Sequence, residues 1–348
     1  MHDNQLQKTL VKEKDAFTDI LGQETVKFQL KSTLLVERHV VIVGPPGVGK
    51  TTLAKNVAKL LSPLKVMDCS YHCMPETPIC PECKTGITKK TKTISGRERF
   101  VRIQGSPDLT AEDLIGDIDP IKALKFGPLS IEAFTPGKIF KANNGVLFFD
   151  ELNRCPEKLQ NALLQALEEH MVTIGSYDLD FETDFIFIAT MNPQDPSTER
   201  LADVLLDRFD IVTMGYPEHI ETEIEIVQQK GVKLEVTYPP EILDPTILFV
   251  RDLRSNDKLE KVPGVRASLG LYERAQANAI LQGKKVVDFT DVEKAIPSVI
   301  AHRIKLKPSA EYLRTPAEFV KEAIEQFYKQ HKRELGEHLP SQKQGDVP

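Results

Sequence analysis

Residues 37–61 read ERHVVIVGPPGVGKTTLAKNVAKLL. Val40 to Val43 form a β-branched run with the character of a buried strand, and Thr51 to Leu61 carry apolar residues at helical spacing. The turn between them, Gly44, Pro45, Pro46, Gly47, Val48, Gly49, Lys50 and Thr51, matches G-x-x-x-x-G-K-S/T, the phosphate-binding loop, with Thr52 following. Each residue type has a reason. Glycines let backbone amides curl around an anion, the helix directs its positive end at phosphates, and Lys50 adds a point charge. The Thr51 hydroxyl suits a magnesium ion. An ordinary glycine-rich turn would not need the complete motif between a strand and a helix.

Working outward, NNGVLFFDELNR (143–154) has a continuous apolar run at Val146 to Phe149 that ends abruptly in Asp150 and Glu151. Such a run is typical of a buried parallel strand, and carboxylates at its carboxyl end lie where open α/β sheets bind ligands. Asp150 is expected to support magnesium and Glu151 to polarise the attacking water. A third strand, DFIFIATMNP (184–193), ends in Asn192, whose amide is placed to reach the γ-phosphate or that water. ERLADVLLDRFD (199–210) then offers Arg200 and Arg208. A lone arginine is usually a solvated charge, but in this order of elements Arg208 gains meaning as a finger entering a neighbouring subunit's site. Arg266, in VPGVRASLGLYERA (262–275), opens a helical segment and is placed to contact phosphate from the same chain.

With these residues the chain resembles the AAA+ ATPases, within the group of the magnesium chelatase I-subunit and the MoxR-type ATPases. The resemblance runs over roughly residues 15–305. It is carried by EDLIGDIDPIKAL (112–124), FTPGKIFKANNGVLFFDELN (134–153), LLDRFD (205–210) and PEHIETEIEIVQQ (217–229). LLQALEEHMVTIGSYDLDFETDF (163–185) is similar to the hairpin this branch carries before its sensor strand. The resemblance implies an α/β core with a central parallel sheet and a helical lid, ATP and Mg2+ as cofactors, and a ring of six subunits. It also implies Asn192 as sensor 1, Arg208 as arginine finger and Arg266 as sensor 2. The implied partner is a chelatase D-type subunit or a protein with a von Willebrand factor A domain. Two uses of the motor follow: metal insertion into a tetrapyrrole, or MoxR-like maturation of a metalloenzyme. The loop GPPGVGKT is generic to AAA+ proteins, nothing marks a porphyrin site, and in the family the tetrapyrrole lies on another subunit.

Composition narrows the rest. The 45 basic and 51 acidic residues among 348 give a net charge of -6, which disfavours a nucleic-acid motor and a lipid-surface role. No run approaches a membrane span, and the polar start MHDNQLQKTLVKEKD lacks a signal peptide's apolar core, so a soluble cytoplasmic protein is expected. The expected organisation is a lead-in (1–14), the ATPase core (15–220), a connector (221–262), a helical lid (263–333) and a disordered tail (334–348). Thr315 and Glu318 form a capping-box pattern with Pro316 at the first helical position.

One stretch stands apart from hydrolysis. DCSYHCMPETPICPECKTG (68–86) holds Cys69, Cys73, Cys80 and Cys83 at C-x3-C-x6-C-x2-C, inside an insertion at 67–97. In a reducing compartment clustered cysteines favour metal over disulfides, and CPECKTG is similar to a zinc-knuckle turn. Structural Zn2+ is the expected occupant, with an iron–sulfur cluster or unliganded thiols as alternatives and His72 as a substitute for one thiol. A loop this short buries too little apolar surface to order itself, and a metal supplies the cross-link. The basic stretch KTGITKKTKTISGRER (84–99) reads as a solvated strand edge or as a contact for an acidic partner. Cys155 reads as a buried small residue.

Overall fold

The computed structural model describes residues 4–88, 90–127, 130–174, 179–193, 195 and 201–331. Five strands, β1 (His39–Val43), β2 (Phe100–Gln104), β3 (Gly145–Asp150), β4 (Phe185–Met191) and β5 (Phe209–Thr213), form one sheet in the order β5-β1-β4-β3-β2. Every pairing is parallel, and one row of the register runs Asp210, Val40, Ile188, Phe148, Arg102. Central strands of such a sheet are covered on both faces, which requires unbroken apolar runs. Accordingly Val40, Val41, Ile42 and all of Val146–Phe149 are fully buried. Because the strands are parallel, the residues after β1, β3 and β4 emerge at one edge.

Helix α1 (Lys50–Leu60) buries Leu53, Ala54, Val57 and Ala58, the helical stripe expected from sequence. Helix α2 (Glu157–Glu168) buries Leu159, Leu163, Ala166 and Leu167. After it, Met171–Ile174 pairs antiparallel with Leu179–Glu182, the hairpin that the resemblance implied.

The cysteine insertion is the loop of a second hairpin, with Leu64 opposite Ile94 and Met67 opposite Thr91. On its return strand Thr91, Lys92 and Thr93 are exposed, Ile94 is buried and Lys92 pairs with Asp68 at 2.8 Å. This matches a solvated edge. Arg99, at the end of the basic stretch, is instead buried and donates to the carbonyls of Ser62 and Asn144.

The chain divides into two compact units, one of Met1–Pro45 with Gly49–Met214, the other of Pro46–Val48 with Gly215–Pro348. The second is helical: α3 (Ile220–Lys230), α4 (Pro240–Arg254), α5 (Val265–Leu281), α6 (Phe289–Ile300) and α7 (Pro316–Gln330). Residues 221–262, expected as a connector, are instead part of its core. Val227 of α3 and Leu243 and Ile247 of α4 pack with Tyr272 of α5, so their apolar faces are buried by the unit itself. Helix α7 begins with the expected capping box, Thr315 N donating to Glu318 Oε2 at 2.8 Å and Glu318 N to Thr315 Oγ1 at 3.3 Å. The tail 334–348 lies outside the described residues.

Candidate functional site

The phosphate loop leaves β1 with Gly44 so close to a neighbouring segment that a Cβ there would meet the Met214 carbonyl oxygen at 2.0 Å. Gly49, with φ at 106°, turns the chain into α1 through the left-handed region. Helix α1 starts at Lys50 with no side-chain cap, which leaves the positive end of its dipole available to an anion. The Lys50 ammonium donates to the carbonyls of Gly44 at 2.6 Å and Pro45 at 2.8 Å, so it lies within the loop it is expected to serve.

Asp150 ends β3 and Glu151 follows in the left-handed region, φ 59° and ψ 54°, a conformation uncommon for a residue with a side chain. The Thr190 hydroxyl of β4 fixes both residues. It donates to Asp150 Oδ1 at 2.7 Å and accepts the Glu151 amide at 2.9 Å. From β2, Arg102 donates to Asp150 Oδ2, and Gln104 Nε2 donates to Glu151 Oε2 at 3.0 Å. Arg154 Nη1 lies 3.0 Å from the same Glu151 oxygen, while its Nε donates to Asp195 at 2.9 Å. Asn192 follows β4 directly, and its carbonyl accepts the Asn153 amide at 3.1 Å. The structure thus gathers the ends of β1, β3 and β4 at one edge.

No motif in the sequence marks Arg102, Gln104, Thr190 or Arg154. Sheet register finds the first three: Gln104 stands opposite Asp150, Arg102 two residues before it, and Thr190 next to β4's end, whereas Arg154 follows Glu151 by three residues in the short turn after β3.

The arginines are placed differently. Arg208 lies between the short helix Asp203–Leu206 and β5, and its guanidinium bonds Glu168 at the end of α2, with Nε to Oε2 at 3.1 Å, and the Val204 carbonyl. Its partners within this chain are therefore not the strand-end carboxylates. Arg266 is the second residue of α5 in the helical unit, and its Cγ would lie 3.1 Å from a Cβ on Gly47, which clusters with that same unit. Arg200 lies outside the described residues.

At the opposite edge of the sheet sits the cysteine cluster. The sulfurs of Cys69, Cys73, Cys80 and Cys83 all lie within 4.8 Å of one another, and all four residues are buried. Tetrahedral zinc at a Zn–S distance near 2.3 Å would set sulfurs about 3.8 Å apart, so the set fits with small adjustment. Backbone amides already point at two sulfurs, Cys73 N at Cys69 Sγ (3.4 Å) and Cys80 N at Cys73 Sγ (3.3 Å). Hydrogen bonds from the Cys73 and Cys80 thiols hold the Cys69 thiol far below its usual range, and hydrogen bonds with Cys69 and Cys73 push Cys80 up. Burial pushes Cys83 up to about 12. A cation seated among the four sulfurs would favour their thiolate forms and so complete the ligand set. His72 is not in that set. Its carbonyl accepts Asn144 Nδ2 at 3.3 Å, and burial lowers its imidazole pKa.

Asn143, just before β3, carries the knuckle. Its Nδ2 donates to the Tyr71 carbonyl at 3.5 Å, and its Oδ1 accepts the Asp184 amide at 2.8 Å. The Tyr71 ring packs on Phe140 and Phe181, with centroids at 5.3 and 6.1 Å. Cys155 is fully buried and stands apart from the sulfur group, as expected.

Among the described residues no helix is long and apolar enough to cross a membrane. Three family descriptions match the chain in succession: magnesium chelatase, subunit ChlI, over residues 16–75, the ATPase family associated with various cellular activities over 78–211, and the AAA lid domain over 261–323. A magnesium-chelatase subunit ChlI homolog of Methanocaldococcus jannaschii is 27% identical, covering 91% of this chain and 92% of its own. The magnesium-chelatase 38 kDa subunit of Acidiphilium rubrum is 28% identical over 85% of this chain and 93% of its own. The uncharacterized protein YeaC of Bacillus subtilis is 27% identical over 86% of this chain and 88% of its own. Among solved structures, a complex between subunits BchI and BchD of magnesium chelatase matches with a TM-score of 0.50 at 21% identity, covering 85% of this chain and 98% of that chain, a likeness of fold. With the strand-end carboxylates and the phosphate loop at one sheet edge, these matches make the chain similar to the AAA+ ATPases and, within them, to the magnesium chelatase I subunits.

Proposed function

We propose that this chain is the motor subunit of a chelatase-type machine, which hydrolyses ATP in a ring of six to remodel a partner and thereby drive metal insertion into a tetrapyrrole. The observation that carries the motor is the Asp150–Glu151 pair at the phosphate-loop edge, each carboxylate held by its own side-chain partners. In this reading the loop amides and Lys50 bind the phosphates. Thr51 and Asp150 would hold magnesium, which when bound would offset the negative charge of the phosphates. Glu151 accepts a proton-side hydrogen bond from water and aims it at the γ-phosphorus, and Asn192 fixes the water's second contact. Arg208, on leaving Glu168, would neutralise charge in a neighbour's site, and Arg266 would contact phosphate from the same chain. The cysteines hold a structural Zn2+, and the protein works in the cytoplasm.

The proposed partner is a chelatase D-type subunit, in keeping with the BchI–BchD structure whose fold this chain shares. A MoxR-like role with a von Willebrand factor A protein uses the same site. The Bacillus relative, whose name carries no chelatase role, is as similar to this chain as the chelatase subunits are. Reconstitution separates the two. The chain is mixed with a chelatase D-type subunit, the large subunit, ATP, Mg2+ and protoporphyrin, and metalloporphyrin is followed by its absorbance. Insertion that requires this chain supports the chelatase reading. Absence of insertion, with ATPase activity stimulated by a von Willebrand factor A protein alone, replaces it with the second.

A further inference from the structure

Arg102 lies on the edge strand β2, in register with Phe148 and two residues short of the row that holds Asp150. Its Nη2 donates to Asp150 Oδ2 and, at 2.9 Å, to Gln104 Oε1. Asp150 Oδ1 already accepts the Thr190 hydroxyl at 2.7 Å. Both oxygens of the carboxylate are therefore engaged, one of them by a cation. The two partners differ in exposure: the Asp150 side chain is 15% exposed and Arg102 50%. The carboxylate belongs to the wall of the site, whereas the guanidinium reaches it from the solvent side on a flexible stem. A second arginine at this edge, Arg154, is bound to Asp195 and Glu151.

We propose that Arg102 is a positioning residue that acts as the internal counter-ion of Asp150 and competes with Mg2+ for Oδ2, so setting the magnesium concentration at which the site accepts metal-bound nucleotide. This rests on reading Asp150 as a magnesium carboxylate. A half-exposed ion pair is weak, so Arg102 tunes the site and does not close it. A divalent ion surrounded by carboxylate, hydroxyl and phosphate oxygens displaces it. The displaced guanidinium stays within reach of Gln104, whose amide holds Glu151 at 3.0 Å. Metal arrival at Asp150 is thus communicated to the residue that orients water.

The test uses the full chain and methylanthraniloyl-ADP, a fluorescent nucleotide, titrated with Mg2+ and, separately, in EDTA. Arg102→Gln should lower the half-saturating Mg2+ concentration about fivefold, as expected for loss of a partly screened pair, and leave affinity in EDTA unchanged. Arg102→Met, which keeps the stem, should reproduce the shift, and Arg102→Lys should return most of the way to wild type because the charge is restored. An unchanged magnesium midpoint in both neutral variants, or weaker binding in EDTA that marks Arg102 as a phosphate ligand, would overturn the proposal. Asp150→Asn separates the two claims. If it keeps the full magnesium dependence, the Asp150 reading fails and Arg102 with it. If it abolishes that dependence while Arg102→Gln changes nothing, the counter-ion proposal alone fails.

Discussion

At its carboxyl end β3 delivers Asp150 and Glu151 to side chains that are themselves partly open to solvent, with Arg102 50% and Arg154 35% exposed. At its amino end Asn143 is 6% exposed and bonds backbone groups of Tyr71 and Asp184. Six residues, about 20 Å of strand, separate the two ends. Partly exposed side chains exchange partners at little cost, since water or a ligand replaces what is lost. Buried groups bonded to backbone do not, because each orphaned atom costs about 1–3 kcal/mol. One strand therefore has a convertible end, suited to nucleotide chemistry, and a fixed end, suited to anchoring the cysteine knuckle.

The largest effects concern the chemistry at the convertible end, which in the proposed ring Arg208 of a neighbouring subunit completes. Arg208→Ala should lower turnover by about 10³ to 10⁵. Glu151→Gln should lower it by about 10² to 10⁴ with nucleotide binding nearly intact, because the amide keeps the size of the side chain but polarises water poorly. Mixing these two inactive variants, with joint assembly shown by co-purification of differently tagged chains, should restore measurable ATPase activity. In a mixed ring some interfaces join an intact Glu151 to an intact Arg208. If no activity returns from verified mixed rings, Arg208 does not act in trans.

At the fixed end, metal should be stoichiometric and separable from catalysis. Protein purified without added metal should carry about one zinc per chain by elemental analysis, and Cys80→Ser with Cys83→Ser should lose it. ATPase activity should survive in part while the melting temperature falls, since the lost cross-link lies at the far ends of β3 and β4. Equal loss of turnover and metal would erase the contrast between the ends. Absence of metal after strictly reducing purification would return the cysteines to plain buried thiols.

A smaller effect concerns acid. His39 opens β1 at the same end as Asn143, and its Nδ1 is buried with no hydrogen-bond partner among the described residues. Burial pushes its imidazole down from 6.5 to about 4. A depressed folded pKa favours the neutral ring, so its stability contribution is complete above the unfolded value and declines as pH falls from about 6.5 towards 4. Between pH 7.5 and 4.5 this amounts to about 2–3 kcal/mol. Urea midpoints should therefore fall less over that interval for His39→Phe than for wild type. Identical falls would show that the ring titrates freely at this end.

The strand-end carboxylates are legible in the sequence because a buried parallel strand announces itself as an apolar run and its polar end stands out. VLFFDE shows both features within six residues. The partners of those carboxylates were not legible. Arg102 and Gln104 sit in FVRIQ, a strand with no apolar run long enough to mark its edge, and Thr190 is a hydroxyl inside one. Residues 221–262 misled for a related reason. Their two helices carry apolar faces that look ordinary until α5 covers them.

Residue order alone was enough for the phosphate loop, the strand-end pair, the spaced cysteines and the Thr315 cap, because each depends on neighbours within one turn, one strand or one short loop. Tertiary structure alone decided which atoms meet: that β2 lies beside β3 and brings Arg102 to Asp150, that Arg208 rests on Glu168, and that four sulfurs converge without His72. Those contacts join residues up to 48 positions apart. The physical reason is that periodicity and capping are local free energies written into a few consecutive residues. Strand order and register arise from burying the whole sheet at once, and no short segment encodes them.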